Sequence, residues 1–223
     1  MENLQINPFR YERKYVIPQN KLASFKSEIF NKNFRKIYNK RAVNNLYFDD
    51  YDFKMYRANV DGLSSRKKIR IRWYGNLFEN SKKTIEFKIK EEFLNIKKTL
   101  SLGNIKLESL SKVKQLSGKI FEITKLKDSK IHNLILDKIP VLLNSYKRDY
   151  FMNIDNNFRI TIDHSLFFYS PISRIKTYEK NIIVEIKYHN NVNFNMDFKN
   201  LILSRFSKYV KGATETLLYK PNY

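Results

Sequence analysis

Five short stretches of the chain carry a charged side chain at every second residue, with apolar or aromatic residues between: Arg10–Lys14, Lys68–Arg72, Ile85–Lys90, Arg159–Asp163 and Val184–Lys187. Successive side chains of a strand point to opposite faces, so each stretch separates a charged face from a mostly apolar one. The charged faces hold nine cations (Arg10, Lys14, Lys68, Arg70, Arg72, Lys88, Lys90, Arg159, Lys187) and only four anions (Glu12, Glu86, Asp163, Glu185). An ordinary exposed face mixes opposite charges that offset one another across strands. This excess calls for open water or a polyanionic ligand. Arg matches phosphate with two parallel hydrogen bonds and Lys acts on it as a point charge.

Strands alone do not account for the chain. Pro18 stops the first strand, Phe9–Ile17, and Leu22, Phe25, Ile29 and Phe30 follow at helical spacing. Ala42–Phe48 reads as a strand and Phe53–Val60 as a short helix, while Lys67–Tyr74 and Lys83–Lys90 form a hairpin across the Gly75-Asn76 turn region. From Glu91 to Pro140 the pattern turns helical, with Leu107, Leu110, Val113 and Leu116, then Ile131, Leu134, Ile135 and Ile139. Strands return at Val141–Met152, Phe158–Asp163 and Ile182–Tyr188, and the tail from Met196 to Leu218 reads as helical, with a break around Ser204–Gly212. Strands dominate and no strand–helix alternation recurs, so the fold class is α+β with a largely antiparallel sheet. Five Gly and five Pro leave little room for linkers, and the reading is one domain over residues 1–223 with a helical insertion at about 104–139.

The net charge of +21, from 43 Lys and Arg against 22 Asp and Glu, attracts nucleic acid, acidic membrane surfaces or polyphosphates without choosing among them. With no cysteine and three scattered histidines, disulfides, thiolate sites and an imidazole cluster are not expected. No apolar run approaches the roughly 20 residues that span a bilayer, and the N-terminus lacks a signal-peptide layout, so a cytoplasmic location is expected. Lysines such as Lys32, Lys36, Lys40, Lys114, Lys119 and Lys125 read as solvated positions, some of which would suit an outer patch for product or acidic lipid.

Carboxylates among phosphate-binding cations either pair with those cations or hold a hard divalent ion. Glu185 is the stronger metal candidate of the set, because Ile183, Val184, Ile186 and Tyr188 make its strand one that packs, and a buried carboxylate needs a metal or a cation.

Taken in order, the segments resemble the VTC-type polyphosphate polymerase domain, a branch of the CYTH-like triphosphate tunnel metalloenzymes. The motifs are Arg10-Tyr11-Glu12-Arg13-Lys14-Tyr15, Leu46-Tyr47-Phe48-Asp49, Ile69-Arg70-Ile71-Arg72-Trp73-Tyr74-Gly75 and Glu86-Phe87-Lys88. They continue with Ser145-Tyr146-Lys147-Arg148, Arg159–Asp163, Val184–Lys187 and Ser204-Arg205-Phe206-Ser207-Lys208-Tyr209. The resemblance implies an antiparallel eight-stranded β-barrel, a tunnel with helices packed outside it. It also implies transfer of the γ-phosphoryl group of ATP onto inorganic polyphosphate with Mn²⁺ or Mg²⁺. On this pattern Lys14, Arg70, Arg72, Lys88, Arg148 and Lys187 would be the catalytic cations. Arg10, Lys68, Lys90, Tyr146, Arg159, Arg205, Ser207 and Lys208 would add phosphate contacts, and Glu185 with Glu12 would hold the metal. Arg205 stands where such polymerases carry Lys, and Arg10 stands where the hydrolases place the first carboxylate of Glu-x-Glu-x-Lys, which favours the polymerase branch. A triphosphatase or cyclase on the same tunnel, or a non-enzymatic module binding polyphosphate or nucleic acid, stays open. The expected partners are ATP, polyphosphate and the divalent ion, with no nucleic acid; association with a separate membrane protein stays open.

Overall fold

The structure, a computed structural model, describes residues 11–92, 94–189, 192, 194, 196–199 and 201–217. In chain order its elements are β1 (Tyr11–Ile17), α1 (Leu22–Asn31), β2 (Phe34–Asp49), α2 (Lys54–Val60), β3 (Arg66–Tyr74), β4 (Ser81–Glu91) and β5 (Leu94–Ile105). There follow α3 (Val113–Lys127), α4 (Ser129–Ile135), β6 (Ile139–Asn153), β7 (Phe158–Tyr169), β8 (Lys176–Tyr178), β9 (Ile182–Tyr188), β10 (Ile202–Leu203) and α5 (Lys208–Leu217). The fold is α+β with an extensive antiparallel sheet, as the alternation predicts. Among the described residues no helix is long and apolar enough to cross a membrane.

Two compact units divide the chain. The first comprises 1–41, 147–165 and 179–206, and the second 42–146, 166–178 and 207–223. In unit 1, β1 pairs with β9 over its whole length and β9 with β7, antiparallel in both cases. Ile17, Ile160, Ile162, Ile182, Val184 and Ile186 turn to one face and bury against Phe25 and Ile29 of α1. Pro18 lacks the N–H a further ladder bond would need, so the chain leaves β1 there, makes a 3-10 turn over Gln19–Lys21 and enters α1. Asn33, at φ 59°, lets it leave α1 for β2; Asn tolerates this left-handed conformation better than most residues.

In unit 2, β3 pairs with β4 and β4 with β5, again antiparallel. Ile69, Ile71, Trp73, Ile85 and Phe87 line the apolar face and pack on Val113, Leu116 and Ile120 of α3 and on Ile131 and Ile135 of α4. Asp128 caps α4 by accepting from the Ile131 amide at 2.9 Å. The amides of Met55 and Tyr56 at the start of α2 are taken instead by the buried carboxylate of Asp49, at 2.9 and 2.8 Å. α5 closes on this unit through Gly212, where a β-carbon would run into the Phe168 ring and lie 2.7 Å from Leu142.

The hydrogen-bonded strand order is β10-β1-β9-β7-β6-β2-β3-β4-β5, with β8 on β7. That is ten strands where eight are expected, and the pairings among the described residues end at β10 and β5 without closing into a barrel. One added strand is β5, which falls in the segment expected to turn helical from Glu91. Its exposed first half carries Lys97 and Lys98 side by side, so it shows no alternation to the eye; charge is the usual protection of an edge strand. Helix begins only beyond it, at α3. β2 likewise starts eight residues earlier than Ala42, because Arg35–Arg41 is mostly exposed and polar. In the tail, residues expected to be helical give β10, which pairs with β1 (Tyr15 opposite Leu203, Val16 opposite Ile202). Phe198 is buried against Phe25 while Ile202 is 68% exposed, so their helical spacing does not mark one buried face. The helix starts at Lys208 and runs unbroken through Gly212.

Candidate functional site

Each unit carries a charged face opposite its apolar one. In unit 2, β3 sets Lys68, Arg70 and Arg72 against the core-facing Ile69, Ile71 and Trp73. The register puts Tyr47 and Glu86 on either side of Arg70, Asn45 and Thr84 on either side of Arg72, and Lys88 opposite both Lys68 and Lys97. Arg70 donates from Nε and Nη2 to Glu86 Oε2, at 3.0 and 2.7 Å. Arg72 Nη1 lies 3.6 Å from Glu86 Oε1 and its Nε donates to Asn45 Oδ1 at 3.0 Å. Lys97 Nζ stands 4.0 Å from the same Oε1. One carboxylate thus faces three cations. Lys68 Nζ donates to Ser207 Oγ at 3.2 Å, and Lys208 Nζ sits 4.7 Å from the centre of the Tyr146 ring. Lys90 continues the row at the end of β4, opposite Arg66.

In unit 1 opposite charges face each other between β1 and β9. Glu12 lies opposite Lys187, which lies opposite Arg159; Lys14 lies opposite Glu185, which lies opposite Thr161. Lys187 Nζ donates to both glutamates, 3.0 Å from Glu12 Oε2 and 2.8 Å from Glu185 Oε1. Lys14 Nζ takes the other oxygen of Glu12 at 3.0 Å. Arg148 binds the buried Asp163 through Nε and Nη2 at 2.5 and 2.7 Å, and its Nη2 comes within 3.9 Å of Glu185. Arg205 is exposed, next to Ser204, whose amide bonds the Lys14 carbonyl at 2.8 Å. Arg10 lies outside the described residues.

The family model of the VTC domain matches residues 9–217. The chain belongs to the VTC domain family. Solved structures similar to this VTC domain include a proposed adenylate cyclase from Vibrio parahaemolyticus (12% identity, TM-score 0.44, 82% of this chain and 78% of that one). A second proposed adenylate cyclase, from Bacillus halodurans, has 14% identity and a TM-score of 0.45 over 94% of this chain and 86% of its own. A third, from Hippeastrum, described as revealing a dominant triphosphatase activity, has 13% identity and a TM-score of 0.45, covering 79% and 78%. A search of curated proteins finds no match.

Neighbouring cations outweigh burial at the carboxylates of both faces. Burial pushes the Glu185 carboxyl up, but Lys187, Arg148 and Lys14 outweigh it and hold the group well below the usual carboxylate range. Burial and the neighbouring Glu185 likewise push Glu12 up, and Lys14 and Lys187 reverse the sign. Burial would raise Glu86 as well; Arg70 and Arg72 bring it down. Among the described residues no group of three His, Cys, Asp or Glu is placed to hold a metal. The pair Glu12 and Glu185 nevertheless fits a hard divalent ion. Two carboxylates already converge on one cation, the Lys187 ammonium, and a Mg²⁺-like ion is commonly held by one or two carboxylates with phosphate oxygens and water completing its shell.

Three residues that the charge pattern does not pick out share the unit 2 face. Tyr47 is 4% exposed, beside Arg70, and stacks on Tyr209 with ring centres 5.1 Å apart; the Tyr209 hydroxyl is tied to Asp49. Burial pushes the Tyr47 phenol up, yet Arg70, Arg72 and Lys208 together hold its pKa below the ordinary value. Asn45 holds Arg72, and Lys97 completes the cations around Glu86. The parity of Asn45 and Tyr47 within β2 was available as a signal, whereas Lys97 was hidden with its strand.

Proposed function

We propose that this VTC domain is a metal-dependent polyphosphate polymerase that moves the γ-phosphoryl group of ATP onto the end of a growing inorganic polyphosphate chain. The observation that carries the reading is the charge imbalance around Glu86, where a single carboxylate faces Arg70, Arg72 and Lys97. Guanidinium groups largely withdrawn from water need an anion, and phosphate offers each a matched pair of acceptors. Family membership supports the same chemistry.

In the proposed mechanism Arg70, Arg72 and Lys88 bind phosphate on the unit 2 face, joined by Lys68, Lys90, Tyr146, Ser207 and Lys208. Lys14, Arg148 and Lys187, with Arg159, do the same on the unit 1 face. Glu185 and Glu12 would hold Mn²⁺ or Mg²⁺, which when bound neutralises charge on phosphate oxygens. A terminal phosphate oxygen of the chain attacks the γ-phosphorus. The new P–O bond forms as the bond from that phosphorus to the β,γ-bridging oxygen breaks, and ADP leaves with the electron pair. The attacking oxygen is already anionic, so no protein base is required. Cations on each face bind phosphate, hold it for in-line attack and stabilise charge on the transferred group. Tyr47 donates its O–H to a phosphoryl oxygen beside Arg70.

Incubation with labelled ATP and Mn²⁺, followed by chain-length analysis, tests the reading. Long acid-insoluble chains are expected. Free phosphate, cleaved tripolyphosphate or cyclic nucleotide in their place would assign the domain to hydrolysis or cyclisation.

A further inference from the structure

The first half of β2 has no role in that mechanism and is unusual for this molecule. β3 pairs only with Val43–Phe48 of β2, so residues 34–41 run on past that pairing. Arg35, Lys36, Lys40 and Arg41 are all exposed there. Lys36, Ile37, Tyr38, Asn39 and Arg41 line a depression of about 440 Å³. The Arg41 guanidinium lies 4.7 Å from the centre of the Tyr38 ring and 5.9 Å from that of Tyr150, and the two rings meet edge to face at 5.5 Å. Across the same Tyr150 ring, at 6.0 Å, stands Arg148, the residue that binds Asp163 and reaches towards Glu185.

Arg148, Tyr150 and Arg41 therefore form a continuous cationic and aromatic series leading from the charged face of unit 1 to an exposed rim, within one compact unit. Asp149, the carboxylate beside this series in sequence, is 2% exposed and bonded to Lys26 at 2.7 Å. It offers the rim little compensation. Clustered positive charge around a concavity raises the local concentration of a polyanion, and guanidinium groups suit phosphate oxygens.

We propose that the depression at Lys36–Arg41 is a second anion-binding site, a track that holds inorganic polyphosphate beyond the reaction site. The assignment rests on the polymerase reading. A chain being extended carries about one negative charge per phosphate along its length and is flexible, so a rim of separated cations holds it without sequence or shape requirements. Attachment at the rim lowers the chance that a partly grown chain leaves between additions, which makes product length the property the track controls.

The test compares the full chain with Lys36→Gln/Arg41→Gln and with Lys114→Gln/Lys119→Gln, a control that removes the same charge from exposed positions of α3. Affinity is measured for long-chain polyphosphate and for tripolyphosphate as a short probe, with thermal melts to confirm folding. The β2 variant is expected to lose about fivefold in long-chain affinity, as for two exposed cations, and to show a shallower salt dependence. Its affinity for tripolyphosphate is expected to stay put and its product to be shorter, while the α3 control matches the wild type. Equal losses in the two variants, an equal loss on tripolyphosphate, or no loss at all would overturn the track. So would a wild type that binds long chains no more tightly than tripolyphosphate. If the β2 variant instead lost binding to phosphatidylserine vesicles and kept its polyphosphate affinity, the patch would belong to a membrane and the proposal would fall. A wild type that makes no polymer from ATP would sink the polymerase reading separately, whatever the binding comparison gives.

Discussion

In unit 1 the carboxylates of Glu12, Asp163 and Glu185 share their face with Lys14, Arg148, Arg159 and Lys187, and each has a cation within 3.0 Å. In unit 2 Glu86 stands among Arg70, Arg72 and Lys97, beside the further cations Lys68, Lys88 and Lys208. The same strand alternation builds both faces, yet one is nearly balanced and the other is left positive. The two carboxylates that meet on one ammonium are the ones proposed to hold the divalent ion. A face with one carboxylate among several cations is the better match to the proposed phosphate.

The difference is most exposed to refutation at the arginines. Arg70→Ala and Arg72→Ala are each expected to lower the rate of polyphosphate synthesis by about 10³-fold or more, the scale of losing a positioned charge on a transferring phosphoryl group. The fold should survive, because the strand's apolar face is untouched; a circular dichroism spectrum and melt check this. Full activity in either variant would remove that strand from the site.

Next in size is the loss on the balanced face. Glu185→Gln should cost about 10²-fold in metal-dependent turnover and shift the Mn²⁺ titration to higher concentration. Glu86→Gln should leave the titration midpoint where it is. If Glu86→Gln moved the midpoint and Glu185→Gln did not, the metal would belong to the unit 2 face and the comparison would be inverted.

The imbalance of unit 2 also depends on which face each lysine takes. One lysine falls on the apolar side: Lys83, in step with Ile85 and Phe87, points into the core, fully buried, donating to the Ile105 carbonyl and standing 4.7 Å from the Trp73 ring centre. Burial lowers its pKa to about 8. Between that value and the ordinary lysine range the unfolded chain keeps a proton that the folded one has released, so stability should rise with pH through this window. Lys83→Met should raise stability at neutral pH by about 1–3 kcal/mol and flatten that rise, as read by denaturant titration at several pH values. A loss of stability would mean that the hydrogen bond to Ile105 outweighs the cost of burying the charge.

The smallest effect is expected at Tyr47. Tyr47→Phe keeps the stack on Tyr209 and removes only the hydroxyl beside Arg70, so tripolyphosphate affinity should fall about 2- to 10-fold with no change in the metal titration. An unchanged affinity would make the phenol a packing group on the unit 2 face.

Legibility followed burial. β1, β3, β4, β7 and β9 were readable because one face of each is packed, so period-2 alternation is enforced residue by residue. The first halves of β5 and β2, and β10, were not, because exposed strand has no face to keep apolar. Lys97 went unnoticed with β5. Asn45 went unnoticed, and Tyr47 stands in a motif of the resemblance without a role, for another reason: an uncharged side chain on a charged face looks like filler until its neighbours are known.

By itself the sequence determined that charge would be segregated onto sheet faces with cations in excess, since alternation in a strand leaves no other geometry. The tertiary structure decided how those charges divide. Register set Glu12 and Glu185 on the one lysine and left Glu86 to serve Arg70, Arg72 and Lys97. None of this can be read along the chain, because which charges meet depends on strands far apart in sequence, and moving a register by one residue exchanges the faces.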